Sequence, residues 1–105
     1  MIASDAHRVF HALGDATRRA IIERLSSGPA SVSHLAGPLD VTVTAVSQHL
    51  QVLEDCGLVH TEKTGRVRTA RLGATGFQTA EQWLRYQQTR WNERLDQLGD
   101  LLDED

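Results

Sequence analysis

A run of short polar side chains between residues 42 and 51 contains the residue types best suited to a recognisable chemistry. Its members are Thr42, Thr44, Ala45, Ser47, Gln48 and Gln51. A glutamine amide can pair with two atoms of an adenine, hydroxyls can bond several base edges, and alanine or threonine methyls can contact the thymine methyl. The run could therefore read base pairs in the major groove of DNA. A solvated helix face has the same composition, so this interpretation needs support from its surroundings.

A basic segment follows this run. In residues 58–72, four Lys or Arg residues stand against one acidic residue, whereas the whole chain of 105 residues has a net charge of −3. Arg66 and Arg68 are two residues apart, so on a strand we expect them to share a face from which both could reach phosphates. Charged hairpins also occur as soluble sheet edges. Taken with the polar run, the segment predicts that Lys63, Arg66 and Arg68 hold the DNA backbone.

An amphipathic helix is expected to present the polar run. Its apolar positions recur at spacings of three, four and three, and they are Val43, Val46, Leu50 and Leu53. This pattern predicts a helix that begins near Thr42 and stops at Gly57, with the polar run opposite the buried stripe. Only the N-terminal half of a recognition helix usually reaches bases, so we expect Glu54 and Asp55 to lie outside the groove.

Three further helices are predicted before this one. The first covers about residues 2–13 with Ser4 or Asp5 as its cap, and the second covers 16–27 with Asp15 as its N-cap. Ser31 caps a short third helix, which Gly37-Pro38 is expected to interrupt. A short helix, a tight turn and a second helix form the order of a helix-turn-helix, so the polar run would lie on the recognition helix.

A hairpin and a long helix are predicted to complete the chain. The strands are Leu58–Lys63 and Arg66–Leu72, joined by a turn at Thr64-Gly65, and the last helix covers about residues 77–102. The expected fold is mainly α with a small β-hairpin wing, in the order α-α-α-α-β-β-α. Residues 1–105 then form a single winged helix-turn-helix domain, because the chain is too short for two cores.

Composition excludes several other classes of protein. The single cysteine, Cys56, cannot form an intramolecular disulfide, and no apolar run approaches the length of a membrane span. No signal peptide is apparent, so we expect a cytoplasmic protein without a membrane partner. The sequence has no nucleophile elbow, glycine-rich phosphate loop, HExxH or CxxC motif, and it is therefore not expected to be an enzyme.

Four segments together resemble the ArsR-type family of winged helix-turn-helix repressors. They are HALGDATRRAIIERL (11–25), SVSHLA (31–36), TAVSQHLQVLEDCGLV (44–59) and GRVRTARL (65–72). The resemblance implies a homodimeric repressor that places two recognition helices in successive major grooves of a palindromic operator. It makes double-stranded DNA the expected partner and residues 15–72 the DNA-binding part. A winged-helix module that binds proteins instead of DNA remains the alternative, since fold alone does not establish function.

The first and last helices form the dimer in this family, which agrees with the long apolar stripe of the last helix here. The residues that we expect in the interface are Val9, Phe10, Leu84, Trp91, Leu95, Leu98 and Leu102. The aromatic residues Trp83, Tyr86 and Trp91 fit either a dimer core or a small apolar effector pocket between the paired helices.

Metal-responsive members of the family carry a thiol pair on the third helix or Asp/His ligands on the last one. The corresponding third-helix residues here are Ser31 and Ser33, and residues 73–105 contain no His or Cys. Neutral hydroxyls are poor ligands for soft metals, so no cofactor or metal response is expected, and the sequence identifies no small-molecule effector.

Three further side chains keep open roles. His7 and His11 lie one helical turn apart, but two ligands do not complete a zinc site, and a solvated or dimer-facing pair is the simpler interpretation. His49 could orient its helix, contact a phosphate or simply pack. Cys56 has no basic neighbour in the sequence and is expected to be inert.

Overall fold

The structure is a computed structural model that describes the backbone of residues 2–103 and the side chains of residues 5–103. Within these residues the elements are α1 (Ile2–Leu13), α2 (Ala16–Leu25), β1 (Ala30–Ser31), α3 (Val32–Leu39), α4 (Val43–Asp55), β2 (Val59–Thr64), β3 (Val67–Leu72) and α5 (Ala74–Asp103). The mainly α fold with a hairpin wing is confirmed. The additional strand β1 pairs with β3 and makes an antiparallel sheet in the order β1-β3-β2. Two residues are too few to show the alternation of a strand, so β1 could not be predicted from the sequence.

Asp15 and Ser31 cap helices as predicted, and Thr42 is a further cap. Helix α1 begins at Ile2, so the prediction that Ser4 or Asp5 caps it is wrong. Asp15 Oδ2 accepts the backbone N–H of Arg18 at 3.0 Å at the start of α2, and Ser31 Oγ accepts that of His34 at 3.2 Å at the start of α3. Thr42 Oγ1 accepts the backbone N–H of Ala45 at 3.0 Å at the start of α4. Each cap satisfies a donor that the first turn would leave unpaired, and so it fixes where its helix begins.

Helix α3 continues through Gly37-Pro38, contrary to the predicted interruption. Pro38 lies in the last turn, so its missing N–H removes a single bond to the carbonyl of an exposed residue, His34. The helix ends one residue later, where Asp40 adopts a left-handed conformation with φ of 54°.

Helix α2 ends at Leu25, two residues before the predicted end. The N–H groups of Ser27 and Gly28 bond carbonyls three residues back, at 3.2 and 3.1 Å. The chain therefore tightens into turns there instead of continuing the α-helix.

The wing, which we define as the β2–β3 hairpin, turns one residue later than predicted. Thr64 pairs with Val67, so the two-residue loop is Gly65-Arg66 and not Thr64-Gly65. Gly65 has φ of +63°, as a type II′ turn requires at its first central position. Arg66 consequently lies in the turn, and the prediction that it shares a strand face with Arg68 is wrong.

The core forms where α2, α3 and α4 pack on the sheet. Ile21, Leu35, Leu50, Leu53 and Leu58 are among its fully buried side chains. The predicted stripe of α4 is confirmed for Val46, Leu50 and Leu53. Val43 departs from it and is 49% exposed, because it lies in the first turn of α4, beyond the edge of this core.

The end of α4 is fixed by its backbone. The N–H of Leu58 bonds the carbonyl of Leu53 at 2.9 Å, and the N–H of Gly57 bonds that of Glu54 at 3.0 Å. Gly57 has φ of +80°, and this pair of bonds is a Schellman motif, in which a residue without a Cβ is favoured. Helix α4 is thereby held at a fixed angle to β2.

A backbone joint, formed by Gly57, Gly73 and Gly76, attaches α5 to the end of α4. The N–H of Gly73 bonds the carbonyl of Leu58 at 2.9 Å, and the N–H of Gly76 bonds that of Gly57 at 2.8 Å. A Cβ on Gly76 would lie 2.7 Å from backbone atoms of residues 56, 57 and 58. The start of α5 can approach this closely because neither side carries a side chain.

Beyond the joint, α5 packs on α1 and then extends away from the rest of the protomer. Phe10 of α1 meets Trp83 of α5 edge to face, with ring centroids 5.2 Å apart. The radius of gyration is 18.7 Å and the long axis is 71 Å, whereas a compact chain of this length has a radius of about 13 Å. None of the described helices is long and apolar enough to cross a membrane.

Candidate nucleic-acid interface

The polar face of α4 is open to solvent as predicted. Thr42, Thr44, Gln48 and Gln51 are exposed, while Ala45 and Ser47 are half-buried at its sides. The Thr42 hydroxyl accepts the capping bond, but its own hydrogen can still donate to a phosphate. Gln51 donates through Nε2 to Asp55 Oδ1 at 2.8 Å, which fixes the orientation of its amide.

A groove brings the first turn of α4 together with the tip of the wing. Its volume is about 320 Å³, and its lining consists of Ser31, Val32, Ser33, Val43, Ser47, Arg66, Val67 and Arg68. Side chains from the predicted recognition helix and from the predicted backbone-binding segment thus share one opening. The two elements on which the DNA-binding hypothesis depends are on the same side of the protomer.

The three basic residues assigned to the DNA backbone have different surroundings. Lys63 and Arg66 are exposed, on β2 and in the turn. Arg68 stands directly opposite Lys63 on the sheet and donates to Thr61 Oγ1 from Nε at 3.3 Å and from a terminal nitrogen at 3.1 Å. The same terminal nitrogen lies 3.7 Å from Glu54 Oε1. Arg68 is therefore already engaged by its own protomer.

Glu54 joins α4 to the wing, a role that the sequence analysis missed. Its carboxylate accepts the backbone N–H of Thr61 at 2.8 Å and the Thr61 hydroxyl at 3.1 Å. The contact depends on the angle between a helix and a hairpin, which no spacing within either element reveals. The position of an acid in the last turn of α4, where the helix dipole disfavours it, was the one available signal.

His49 lies on the opposite side of α4, against the start of α2. Its Nδ1 is 3.9 Å from Asp15 Oδ2 and 3.4 Å from a guanidinium nitrogen of Arg18. The backbone N–H of Arg18 lowers the pKa of Asp15 below its ordinary value; desolvation opposes this, and the charges of Arg18 and His49 lower the pKa further. Of the three roles left open for His49, the orientation of its helix agrees best with these contacts.

Arg18 also holds the end of α1. Its guanidinium donates to the carbonyl oxygens of Ala12 at 2.7 Å and His11 at 3.3 Å, and the neighbouring Arg19 donates to that of Leu13 at 2.8 Å. Cations are favourable at a helix C-terminus, where carbonyl groups are unpaired. The two arginines therefore connect α1, α2 and α4, a role that was not predicted from the sequence.

His7 and His11 face a second cavity, between α1 and the end of α4. Its volume is about 610 Å³, and Arg8, Val52, Asp55 and Cys56 complete the lining. In the part of the chain that the structure describes, no group of three or more His, Cys, Asp or Glu side chains could hold a metal ion.

Cys56 has the surroundings of an unreactive thiol. It is half-buried, and its thiol donates to the carbonyl of Leu53 at 3.4 Å. Burial raises its pKa above the ordinary value, and this effect is larger than the lowering by nearby backbone groups. A raised pKa reduces the thiolate fraction at neutral pH, as expected for an inert cysteine.

The apolar stripe of α5 lies open on the protomer. Trp91 is 59% exposed and Leu98 is 52% exposed, and Leu84, Leu95 and Leu102 are similarly uncovered. Val9 differs from these predicted interface residues because it is 1% exposed and packs in the protomer's own core, so it has no surface to offer a partner. Phe10 is half-buried against Trp83, and Arg90 lies over the ring of Tyr86 at 5.8 Å.

Comparisons with known proteins agree on one family. The model of the family described as bacterial regulatory protein, arsR family, matches residues 15–61. The HTH-type transcriptional regulator Rv2034 of Mycobacterium tuberculosis is 49% identical over 70 residues, which cover 67% of this chain. The match spans 65% of the length of that regulator, less than two thirds.

Two solved structures are similar over nearly the whole chain. The ArsR family transcriptional regulator RHA00566 is 43% identical with a TM-score of 0.79, over 86% of this chain and 93% of that one. An ArsR-like transcriptional regulator from Rhodococcus sp. RHA1 is 30% identical with a TM-score of 0.84, over 98% and 97% of the two chains.

Two more distant proteins have names that describe their action or assembly. The transcriptional repressor SdpR of Bacillus subtilis is 26% identical over 78 residues, which cover 74% of this chain and 87% of that protein. The homodimeric winged helix-turn-helix DNA-binding domain Mb0332 of Mycobacterium bovis is 24% identical with a TM-score of 0.66, over 90% and 85% of the two chains. The latter likeness concerns the fold alone.

Proposed function

This chain belongs to the arsR family of bacterial regulatory proteins, and from this premise we propose that it is a homodimeric transcriptional repressor that binds a palindromic operator in double-stranded DNA without responding to metal. The family and its relatives are transcriptional regulators and not enzymes. Repression is supported by the repressor SdpR, which shares 26% of its matched residues with this chain. Such a protein acts on the chromosome, so we place it in the cytoplasm.

The observation that carries the proposal is the groove shared by α4 and the wing. Ser47 and Arg66 line the same opening although they come from different elements. A helix that enters a major groove and a hairpin that reaches the adjacent backbone must face the same duplex, and this arrangement meets that requirement. A protein-binding module would more naturally present exposed aromatic or aliphatic residues at this place. The groove contains two exposed aliphatic side chains, Val43 and Val67, but its other exposed side chains are polar or cationic.

Within the interface we assign base reading to the exposed face of α4. Thr44, Gln48 and Gln51 occupy its centre, Ala45 and Ser47 its sides, and Thr42 its N-terminal end beside a phosphate. Lys63 and Arg66 are exposed and would bind the backbone through charge. Residues 15–72 then form the DNA-binding part.

We assign dimerisation to α1 and α5, at about residues 2–13 and 77–102. The exposed stripe of α5 exceeds what a monomer of this size would normally leave in water, and pairing with a second copy would cover it. The fold relative from Mycobacterium bovis, which is homodimeric, supports assembly as a pair of copies. Two-fold symmetry would place the two α4 helices about 34 Å apart, one helical turn of DNA, which is why we propose a palindromic operator.

The residues at the start of α3 support the proposal that metal is not the signal. Ser31 Oγ and Ser33 Oγ lie 3.4 Å apart, and Ser31 also caps α3. Hydroxyls engaged in this way are weak ligands for the soft ions that thiols bind. No small-molecule effector is assigned.

Selection of bound fragments from genomic DNA tests the proposal. We expect recovery of fragments that share an inverted repeat with half-sites one helical turn apart. Mobility-shift titrations of one such fragment should give the same affinity with added Zn²⁺, with Cd²⁺ and with a chelator. Recovery of random fragments would contradict sequence-specific binding, and release by either metal would contradict metal independence.

Gln48→Ala tests base reading at the selected operator. Loss of a bidentate amide contact should weaken operator binding by about 1 to 3 kcal/mol per half-site and relax one base position, with little effect on random DNA. Glu23→Gln on α2 is a matched control because it changes an exposed carboxylate that lies outside the proposed interface. Equal losses on operator and random DNA in the Gln48 variant would contradict the assignment.

A further inference from the structure

The contacts of Glu54, Thr61 and Arg68 form a three-residue bridge between α4 and the wing, which we call the helix–wing bridge. Glu54 is in the last turn of α4, Thr61 is on β2, and Arg68 is on β3. Thr61 lies at the centre, because it gives its N–H and its hydroxyl to Glu54 while its hydroxyl oxygen accepts from Arg68. All three elements of the proposed DNA-binding surface therefore meet at one hydroxyl group.

The bridge places the carboxylate of Glu54 beside Arg68, which was predicted from the sequence to bind the DNA backbone. A terminal nitrogen of Arg68 lies 3.7 Å from Glu54 Oε1, and two of its guanidinium nitrogens donate to Thr61. A carboxylate at this distance offers Arg68 the same kind of partner as a phosphate would. The Arg68 side chain is 45% exposed, and these contacts occupy Nε and one terminal nitrogen, so a phosphate would compete with Glu54 for its charge.

The position of Lys63 shows why the wing needs this carboxylate. Lys63 and Arg68 are directly opposite each other in the β2–β3 register, and like charges in such a pair destabilise a sheet. Glu54 approaches Arg68 from α4 and offsets that repulsion. Lys63 then remains exposed, one pair along the sheet from the Thr64–Val67 pair that flanks the turn carrying Arg66.

We propose that Arg68 is a positioning residue, neutralised by Glu54, that fixes the angle between the wing and the recognition helix and does not bind phosphate. This inference rests on the proposed function and deepens it, because it separates the cations that bind the DNA backbone from the one that aligns them. Lys63 and Arg66 provide the phosphate contacts. Glu54 is the partner within the protomer that keeps Arg68 away from the phosphates.

The salt dependence of DNA binding distinguishes the two roles. Each phosphate contact contributes about 0.9 to the slope of log K against log salt, so a contact made by both protomers contributes about 1.8. Arg66→Ala should make the slope shallower by about that amount. Arg68→Ala should weaken operator binding and leave the slope unchanged, because a neutralised cation releases no counterion.

Glu54→Gln should have the opposite effect. The amide keeps an oxygen that can accept from Thr61 but loses the charge that neutralises Arg68, so the freed guanidinium can reach DNA. We expect tighter binding to random DNA, a slope steeper by about 1.8 and a smaller ratio of operator to random affinity. Adding Arg68→Ala to this variant should return the slope to the wild-type value.

Asp55→Asn is the matched control, because Asp55 is the neighbouring carboxylate and bonds Gln51 instead of a cation. It removes the same charge from the same helix end and should leave the slope near the wild-type value. A slope made shallower by Arg68→Ala, or an equal steepening in the Glu54 and Asp55 variants, would overturn the inference. Neither outcome would affect the proposed function, which requires only that the wild-type protein bind its operator specifically.

Hydrogen exchange without DNA provides an independent test. The Thr61 N–H is held by Glu54, and Glu54 is in turn held by Arg68. Arg68→Ala should speed exchange at Thr61 several-fold, whereas Arg66→Ala in the turn should not. Unchanged exchange at Thr61 in the Arg68 variant would show that Arg68 does not hold the bridge, whatever the protein does on DNA.

Discussion

Asp15 illustrates how one side chain can serve both a helix start and the placement of the recognition helix. Its carboxylate caps α2 through the N–H of Arg18, and the same oxygen lies 3.9 Å from His49 on α4. The cap could be predicted from the sequence because capping depends on residues three apart. The approach of His49 could not, since it brings together residues that are 34 positions apart in the chain.

Replacement of Asp15 should change the pH dependence of stability. Its folded pKa lies below the ordinary value of an aspartate, so its contribution is fully present above that ordinary value and is lost as the pH falls through the folded pKa. Asp15→Asn keeps a capping oxygen but removes the charge, and Asp15→Ala removes both. Thermal unfolding at pH 7 and at pH 3 should show the alanine variant melting lowest at pH 7, and the advantage of the wild type over both variants should be smaller at pH 3.

A wild-type protein whose advantage over Asp15→Ala is the same at both pH values would contradict this account. Asp5→Asn on α1 is a suitable control, because Asp5 is exposed and lies in the first turn of a different helix.

At the scale of elements, the sequence predicted most of what depends on local periodicity. The buried stripe and polar face of α4 were predicted because an α-helix repeats every 3.6 residues, and the caps of α2 and α3 because their bonds span a single turn. The turn of the wing was displaced by one residue, which moved Arg66 off the strand. The helix–wing bridge was missed because it depends on the angle between α4 and the wing, and this angle cannot be inferred from the spacing of residues in the sequence.

Gly76 tests the joint between α4 and α5. A Cβ there would lie 2.7 Å from three backbone atoms that cannot move aside, so Gly76→Ala should lower the free energy of unfolding by about 1 to 3 kcal/mol or more. Gly99→Ala is the matched control, since a Cβ at Gly99 meets nothing within 4 Å in the same helix. Relief of the glycine's backbone entropy should make that variant more stable by about 0.5 to 1 kcal/mol. Denaturant titrations would measure both, and equal effects would contradict a close backbone contact at Gly76.

For the whole molecule, the extended shape and the exposed stripe of α5 both favour a second copy as partner. The long axis of 71 Å reflects a helix of 30 residues, only the first part of which packs on its own protomer. The sequence predicted this surplus, because an apolar stripe of that length exceeds what so small a core can cover. It did not predict that Val9, expected in the dimer interface, would be buried in the core of its own protomer.

Leu98→Glu should dissociate the dimer. Leu98 is half-exposed on the protomer, so two copies in an interface would together contribute about 2 kcal/mol, and its replacement by a charge should weaken the dimer at least about 30-fold. Gln97→Glu adds the same charge about 100° further around α5, outside the apolar stripe, and should leave the dimer intact. Sedimentation velocity over a range of protein concentrations would measure both variants. An undiminished dimer in the Leu98 variant would remove this part of α5 from the interface.

The glycine joint has a consequence for how the protein could be regulated. Because backbone atoms of α5 and of the end of α4 meet directly at Gly57 and Gly76, we expect the two helices to move together. Any ligand that altered the crossing angle of the two α5 helices in a dimer would therefore alter the distance between the two α4 helices. Release from DNA would then require no change in the DNA-contacting side chains. It would follow once the distance between the two α4 helices no longer matched one helical turn of DNA.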